Sequence, residues 1–187
     1  MITLPNMLMI GGISRNAGKT TLACHVIRQL KDNFQVIGLK VTSIRPGEED
    51  QHGDHPGDKF EKFSIMEELD SLTQKDTSKM LSAGAKRVFF IRTVDAFQQE
   101  AISAFLLKYN PGHSPIVCES RSLRDNVLPG LFVMMMRDPV YGKPKAYRKF
   151  LDLADLRIDF QRDNPFPVTE LPSIKFNTES FSFCLDS

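Results

Sequence analysis

The chain is short of several things, and each shortage excludes a class of protein. Its 187 residues hold three cysteines, Cys24, Cys118 and Cys184. That odd and widely spaced set cannot form a disulfide framework. Cys24 and Cys118 fall in segments that read as buried, which predicts structural thiols in a reducing compartment. No apolar run reaches membrane-spanning length, and the first residues lack a basic-then-apolar leader pattern. The expectation is a cytoplasmic protein without a membrane partner. A formal net charge of +1 removes the compositional case for nucleic acid as a partner. No Asn-Lys-x-Asp or Thr-Lys-x-Asp run for guanine recognition is found. Thr73-Gln74-Lys75-Asp76 comes near but has the wrong spacing, so the base is not legible. His113 and the cysteines form no nucleophilic triad, and there are no internal repeats.

What is present centres on Gly12-Ile13-Ser14-Arg15-Asn16-Ala17-Gly18-Lys19-Thr20-Thr21. The apolar run Met7–Ile10 before it suits a buried parallel strand. After it, Leu22, Val26 and Leu30 recur at helical spacing, with Ala23 and Ile27 beside them. Strand, glycine-containing turn and helix form the context in which Gly-Lys-Thr means a phosphate-binding loop. Loop N–H groups wrap a phosphate, and the helix dipole favours its charge. Gly12, Ser14, Arg15, Asn16, Ala17, Gly18, Lys19, Thr20 and Thr21 are the expected nucleotide-binding residues. Lys19 reaches the β- and γ-phosphates, and Thr20 offers its hydroxyl to Mg²⁺. Five residues, rather than the usual four, separate Gly12 from Gly18. This longer loop resembles that of the dethiobiotin synthetase and cobyrinic acid amidase group.

The rest of the chain alternates between strand and helix signals. Residues 34–41, 87–92, 114–118 and 130–136 read as strands and 18–31 as a helix; Thr93 or Asp95 opens a second helix with the stripe Phe97, Ala101, Ile102, Phe105 and Leu106, which Asn110-Pro111-Gly112 ends. Phe63–Leu69 is ambiguous. Asp76 reads as the N-cap of a short helix that Gly84 closes. The pattern predicts an α/β fold, a three-layer P-loop NTPase with a mostly parallel sheet and helices on both faces. Residues 1–163 form the nucleotide-binding domain, and 164–187 a C-terminal tail that is an edge hairpin or an assembly arm. Ligands of such sheets bind beyond the carboxyl ends of the strands.

Two further residues fall at or near such ends. Glu119 follows a buried strand, which suits a Mg²⁺-holding acid working with Thr20; a solvated turn carboxylate is the plain alternative. Lys40 either neutralises a phosphate or substrate anion or snorkels from its strand. Arg15 either stabilises charge in phosphoryl transfer or points to solvent. The polar stretch 45–62 carries Glu48, Glu49, Asp50, His52, Asp54, His55 and Asp58. It reads as a loop that orders over substrate or Mg²⁺.

Four ordered features make the chain resemble the molybdopterin-guanine dinucleotide biosynthesis protein B family over about Met7–Met136. They are the loop Gly12–Thr21, Val36-Ile37-Gly38-Leu39-Lys40, the segment from Lys75-Asp76-Thr77-Ser78 through Ser82-Ala83-Gly84-Ala85, and Ile116-Val117-Cys118-Glu119. Where that family places His after its strand-two Lys, Val41-Thr42-Ser43 stands here. Ser120 replaces the Gly after its strand-ending Glu. The resemblance implies GTP binding with Mg²⁺, slow hydrolysis, a homodimer, and an accessory role beside a nucleotidyltransferase partner. Two other functions fit the same residues. One is an ATP-dependent synthetase or kinase of the dethiobiotin synthetase type acting on a small carboxylate. The other is a non-catalytic nucleotide sensor.

Overall fold

The computed structural model describes residues 1–44, 62–137, 147–159 and 174–185. The acidic and histidine-containing stretch from Glu48 to Asp58 lies outside the described residues, as does the proline-containing part of the tail.

Nine strands and four helices appear in chain order among the described residues: β1 (Ile2–Gly12), α1 (Lys19–Leu30), β2 (Ile37–Ile44), β3 (Phe63–Glu68), α2 (Asp76–Ser82), β4 (Arg87–Val94), α3 (Gln98–Tyr109), β5 (Ile116–Glu119), β6 (Val127–Met136), α4 (Arg148–Asp152), β7 (Leu156–Asp159), β8 (Ile174–Asn177) and β9 (Ser182–Leu185). Seven strands form one sheet in the order β3-β4-β2-β5-β1-β6-β7. All pair in parallel except β3, which runs antiparallel to β4 at the edge. This settles the ambiguous Phe63–Leu69 segment as a strand.

The central strands β1 and β5 are buried on both faces, which is why they read as continuous apolar runs rather than alternating ones. On one face Leu8, Ile10, Val117 and Val133 pack with Leu22, Val26, Ile27 and Met80 of α1 and α2. On the other, Met9, Leu39, Phe89 and Cys118 pack with Ala101, Ile102 and Phe105 of α3 and Phe150 of α4. Helices therefore cover both faces, and the three-layer α/β architecture is the one the sequence predicts. Phe89 meets Phe105 edge-on with ring centroids 5.2 Å apart, a geometry that aromatic quadrupoles favour.

Local boundaries differ from expectation for identifiable reasons. β1 begins at Ile2 rather than Met7, because Ile2–Leu4 pair with Val127–Pro129 before a register shift ahead of Leu8. Thr93 lies inside β4, and a short 3-10 turn over Asp95–Phe97 precedes α3. The N-cap of α2 is Lys75, with extended backbone, and Asp76 sits in the first turn. β8 and β9 form a separate antiparallel hairpin. Its Ile174, Phe176 and Phe183 are buried in the α1-side core. There Phe176 packs edge-on against Phe34 at 5.2 Å.

Candidate functional site

The parallel register lines up the site. On the α1/α2 face, Val133, Ile10, Glu119, Lys40, Phe90 and Met66 occupy one cross-strand row from β6 to β3. Adjacent strands lie about 4.8 Å apart. Glu119 and Lys40 are thus direct neighbours, and both stand close to where β1 passes into the Gly12–Thr21 loop.

The loop is anchored at its base and turned at its crest. Ile13 N–H donates to Met135 O at 3.1 Å, and Ser120 N–H donates to Ile10 O at 3.1 Å, which tie it to β6 and β5. Ile13 and Ala17 are buried. Asn16 and Gly18 adopt positive φ of 58° and 85°. Such left-handed residues bend a chain into the concave nest of N–H groups that binds anions. Gly18 is the N-cap of α1, whose first N–H groups have no intrahelical acceptor. Gly12 leaves room of a different kind: a Cβ there would sit 3.0 Å from Lys19 Cδ and 3.3 Å from Ala17 Cβ, and those side chains would have to give by a few tenths of an ångström. The Lys19 side chain lies back across the loop over the space a side chain at position 12 would take.

Lys19 Nζ donates to Ser14 O at 3.2 Å and lies 4.0 Å from Glu119 Oε1. Burial pulls its pKa below the ordinary 10.5, against the raising influence of Glu119; Lys40 and Arg121 also lower it and Asp76 opposes them. A half-buried ammonium under that strain is stabilised by an anion. Thr20 Oγ1 donates to Glu119 Oε2 at 2.7 Å, and Glu119, the last residue of β5, is only 6% exposed. A hydroxyl and a carboxylate so close together are hard oxygen donors of the kind Mg²⁺ takes while keeping several waters. The residues fit the ion. Among the described residues no group of three or more His, Cys, Asp or Glu is placed to hold a metal, so any ion here relies on phosphate and water for its other ligands.

Lys40 does not meet Glu119, despite facing it. Its Nζ donates to Asp76 Oδ2. Burial pushes the Asp76 carboxyl upward, but the hydrogen bond and charge of Lys40, a hydrogen-bonding contribution from Thr20 and the charge of Lys79 together hold it below the ordinary 3.8. Asp76 therefore stands with Lys40 beside the loop, a place that the sequence reading, which had it as a helix cap and as part of the Lys75–Ala85 segment, did not give it. Its link to Lys40 spans 36 residues and has no local signature.

Of the other expected residues, Ser14 is buried and its hydroxyl donates to Arg15 O at 3.1 Å, while Arg15, Asn16 and Thr21 are exposed. Two other arginines touch the loop. Arg121 Nη1 donates to Gly12 O at 3.4 Å, with its guanidinium 5.3 Å from the Phe150 ring centre. Arg137 Nη1 donates to Asn16 O at 2.7 Å. Neither was singled out in the sequence. The available signal was position, since each lies just past the carboxyl end of a strand flanking β1.

Beside Lys40 and Asp76 a cleft of 690 Å³ opens between β2, β3, β4 and the start of α2. Lys40, Asp76, Thr77, Met66, Phe90 and Arg92 are among the residues that line it. Sequence reading missed this cleft, because β3 closes it from across the sheet edge.

No family model and no curated protein matches the chain. Among solved structures, its fold is similar to that of LpxK from Aquifex aeolicus, crystallised in complex with ATP. The TM-score is 0.53 at 16% identity, over 89% of this chain and 52% of that one. The chain spans about half the length of that structure. At this identity the likeness shows the fold alone, a mostly parallel α/β sheet with helices on both faces. No described helix is long and apolar enough to cross a membrane.

Proposed function

We propose that this chain binds a nucleoside triphosphate with Mg²⁺ at Gly12–Thr21 and passes the γ-phosphoryl group to an acceptor in the adjoining cleft. The observation that carries the reading is the convergence of Lys19, Thr20 and Glu119 at the carboxyl end of β5, one strand from Lys40 and the cleft. Loop N–H groups and Lys19 hold the phosphates, and Thr20 and Glu119 hold the metal. When bound, Mg²⁺ supplies charge neutralisation to the phosphate oxygens. An acceptor oxygen forms a bond to the γ-phosphorus while the bond from that phosphorus to the β,γ-bridging oxygen breaks; its electron pair leaves on the nucleoside diphosphate, and the proton of a hydroxyl or water acceptor passes to solvent. Lys40, fixed by Asp76, places positive charge on the acceptor side of that transfer. Water serves as acceptor when the cleft is empty, which gives slow hydrolysis.

A second reading rests on a separate observation. The segment Lys75–Ala85, the most telling part of the likeness to the molybdopterin-guanine dinucleotide biosynthesis protein B family, forms α2 and brings Asp76 to Lys40. On that reading the nucleotide is GTP, and the chain is a slow GTPase. It acts, as a homodimer, as an adaptor for a nucleotidyltransferase partner in molybdenum cofactor biosynthesis.

Calorimetric titration with non-hydrolysable ATP and GTP analogues, with and without Mg²⁺, together with release of nucleoside diphosphate from ATP and GTP themselves in the presence of small acceptors, separates the two. Tight ATP binding with acceptor-stimulated turnover supports phosphotransfer. GTP binding alone, with no stimulation by any small acceptor, supports the adaptor. Absence of binding to both analogues sinks the phosphate-loop assignment itself.

A further inference from the structure

Side chains hold the carbonyl groups of the Gly12–Thr21 loop. Lys19 Nζ donates to Ser14 O at 3.2 Å, Ser14 Oγ to Arg15 O at 3.1 Å, Arg121 Nη1 to Gly12 O at 3.4 Å and Arg137 Nη1 to Asn16 O at 2.7 Å. Lys19 and Ser14 belong to the loop itself, and Arg121 meets it at its base. Arg137 reaches the crest from outside, across 121 positions of sequence.

The end of β6 therefore grips the loop at two levels. Met135 O accepts from Ile13 N–H at 3.1 Å at the base, and Arg137, two residues further on, holds Asn16 O at the crest. Beyond Ile13 the chain has to turn into α1, and it does so through Asn16 at φ 58° and Gly18 at φ 85°. Glycine takes this left-handed conformation freely, whereas asparagine takes it at a cost. At Asn16 the bond from Arg137 falls on the carbonyl of the residue that bears that cost. In a planar trans peptide the C=O and the following N–H point in opposite directions. Holding Asn16 O toward Arg137 therefore aims Ala17 N–H away from it. A donor fixed in this way needs no reorganisation when an anion arrives.

We infer that Arg137 is a positioning residue of the loop: by holding Asn16 O it keeps the Asn16–Ala17 peptide turned so that Ala17 N–H meets the phosphates, which Arg137 itself does not touch. The inference rests on the reading of Gly12–Thr21 as a nucleotide phosphate site.

Calorimetry with non-hydrolysable ATP and GTP analogues and Mg²⁺ tests it on the full chain. Arg137→Gln is expected to weaken binding about threefold to thirtyfold, less than a buried charge-assisted hydrogen bond because the pair is exposed to water. The size of that loss is expected to depend on residue 16. It should be smallest in Asn16→Gly, intermediate with Asn16 and largest in Asn16→Ala, the order in which the left-handed turn becomes harder to hold. A direct contact between Arg137 and the nucleotide predicts the same loss in all three, and that result overturns the inference. Wild-type affinity in Arg137→Gln does so too. Backbone carbon chemical shifts of Asn16 in the nucleotide-free chain give an independent reading. They should leave left-handed values in Arg137→Gln, and shifts that stay there overturn the inference. Should the wild-type chain bind neither analogue, the phosphate-loop reading falls and this inference with it. The other contrary results remove only the role given to Arg137.

Discussion

Lys40 and Glu119 face each other across β2 and β5, yet Lys40 bonds to Asp76 and Glu119 to Thr20. Two cation and carboxylate groups that could have neutralised one another are instead each engaged by a helix N-terminal region, α2 for Lys40 and α1 for Glu119. The consequence is a divided site, with a metal-type pair on the loop side and a fixed positive charge on the cleft side.

Lys19 is expected to dominate nucleotide affinity, because it is the half-buried cation lying across the loop. Lys19→Ala should weaken ATP or GTP analogue binding by at least about tenfold to a hundredfold, from loss of charge-assisted hydrogen bonds. Calorimetry reads this directly, and circular dichroism checks that the fold survives. Unchanged affinity would show that the phosphates lie elsewhere.

Thr20 and Glu119 should act as a unit. Thr20→Ala, Glu119→Gln and the double variant form a cycle in which Mg²⁺-dependent analogue binding is measured. Residues joined by a hydrogen bond couple by about 0.5–3 kcal/mol, so the double loss should fall short of the sum of the singles. Additive losses would mean that the 2.7 Å bond does not reflect a shared metal site.

Gly12→Ala separates packing of the loop from stability of the fold. The new methyl would press on Lys19 Cδ at 3.0 Å and Ala17 Cβ at 3.3 Å, so the Lys19 stem and the loop must each give by a few tenths of an ångström. The expected outcome is weakened nucleotide binding, with a thermal midpoint that changes little because Lys19 is not part of the apolar core. A large fall in midpoint with binding retained would contradict this reading.

The Lys40–Asp76 pair predicts an acid limb in the stability profile. The folded Asp76 carboxyl lies below its ordinary 3.8, with burial opposing and Lys40 favouring that direction. The native state therefore holds fewer protons here than the unfolded chain. Its contribution is fully present above pH 3.8 and is lost as pH falls through the lower folded value. Asp76→Asn should flatten that limb in urea titrations between pH 2.5 and 5, ranges chosen as roughly a unit either side of a carboxylate's usual pKa. An unaltered acid limb would mean the pair adds nothing to stability.

Cysteine reactivity offers a check on the core. Burial raises the Cys118 thiol far above its ordinary range and also raises Cys24, with Arg28 partly opposing at Cys24. Native alkylation by iodoacetamide at neutral pH should mark Cys184, which is partly exposed, before Cys24, and leave Cys118 until the chain unfolds. Mass spectrometry of timed digests gives the order. Early labelling of Cys118 would contradict burial of β5.

The turn between β1 and α1 was written locally, and so was most of the fold. Met7–Ile10, the turn with Gly18-Lys19-Thr20 and the Leu22, Val26 and Leu30 stripe are near neighbours in sequence. Their periodicity and backbone demands therefore show directly. The same holds for the buried runs of β4, β5 and β6, and for Glu119 as a charge ending one of them. Three features were decided by tertiary structure alone. Asp76 reaches Lys40 only because α2 folds back over β2. Arg121 and Arg137 reach the loop only because β5 and β6 flank β1. The cleft exists because β3 pairs antiparallel with β4 and brings Met66 beside Phe90 and Lys40. Hydrophobic periodicity fixes which face of an element is buried, but it carries no information about which strand will lie next to which. That is decided by how the whole set of elements packs, and it determines which charges meet.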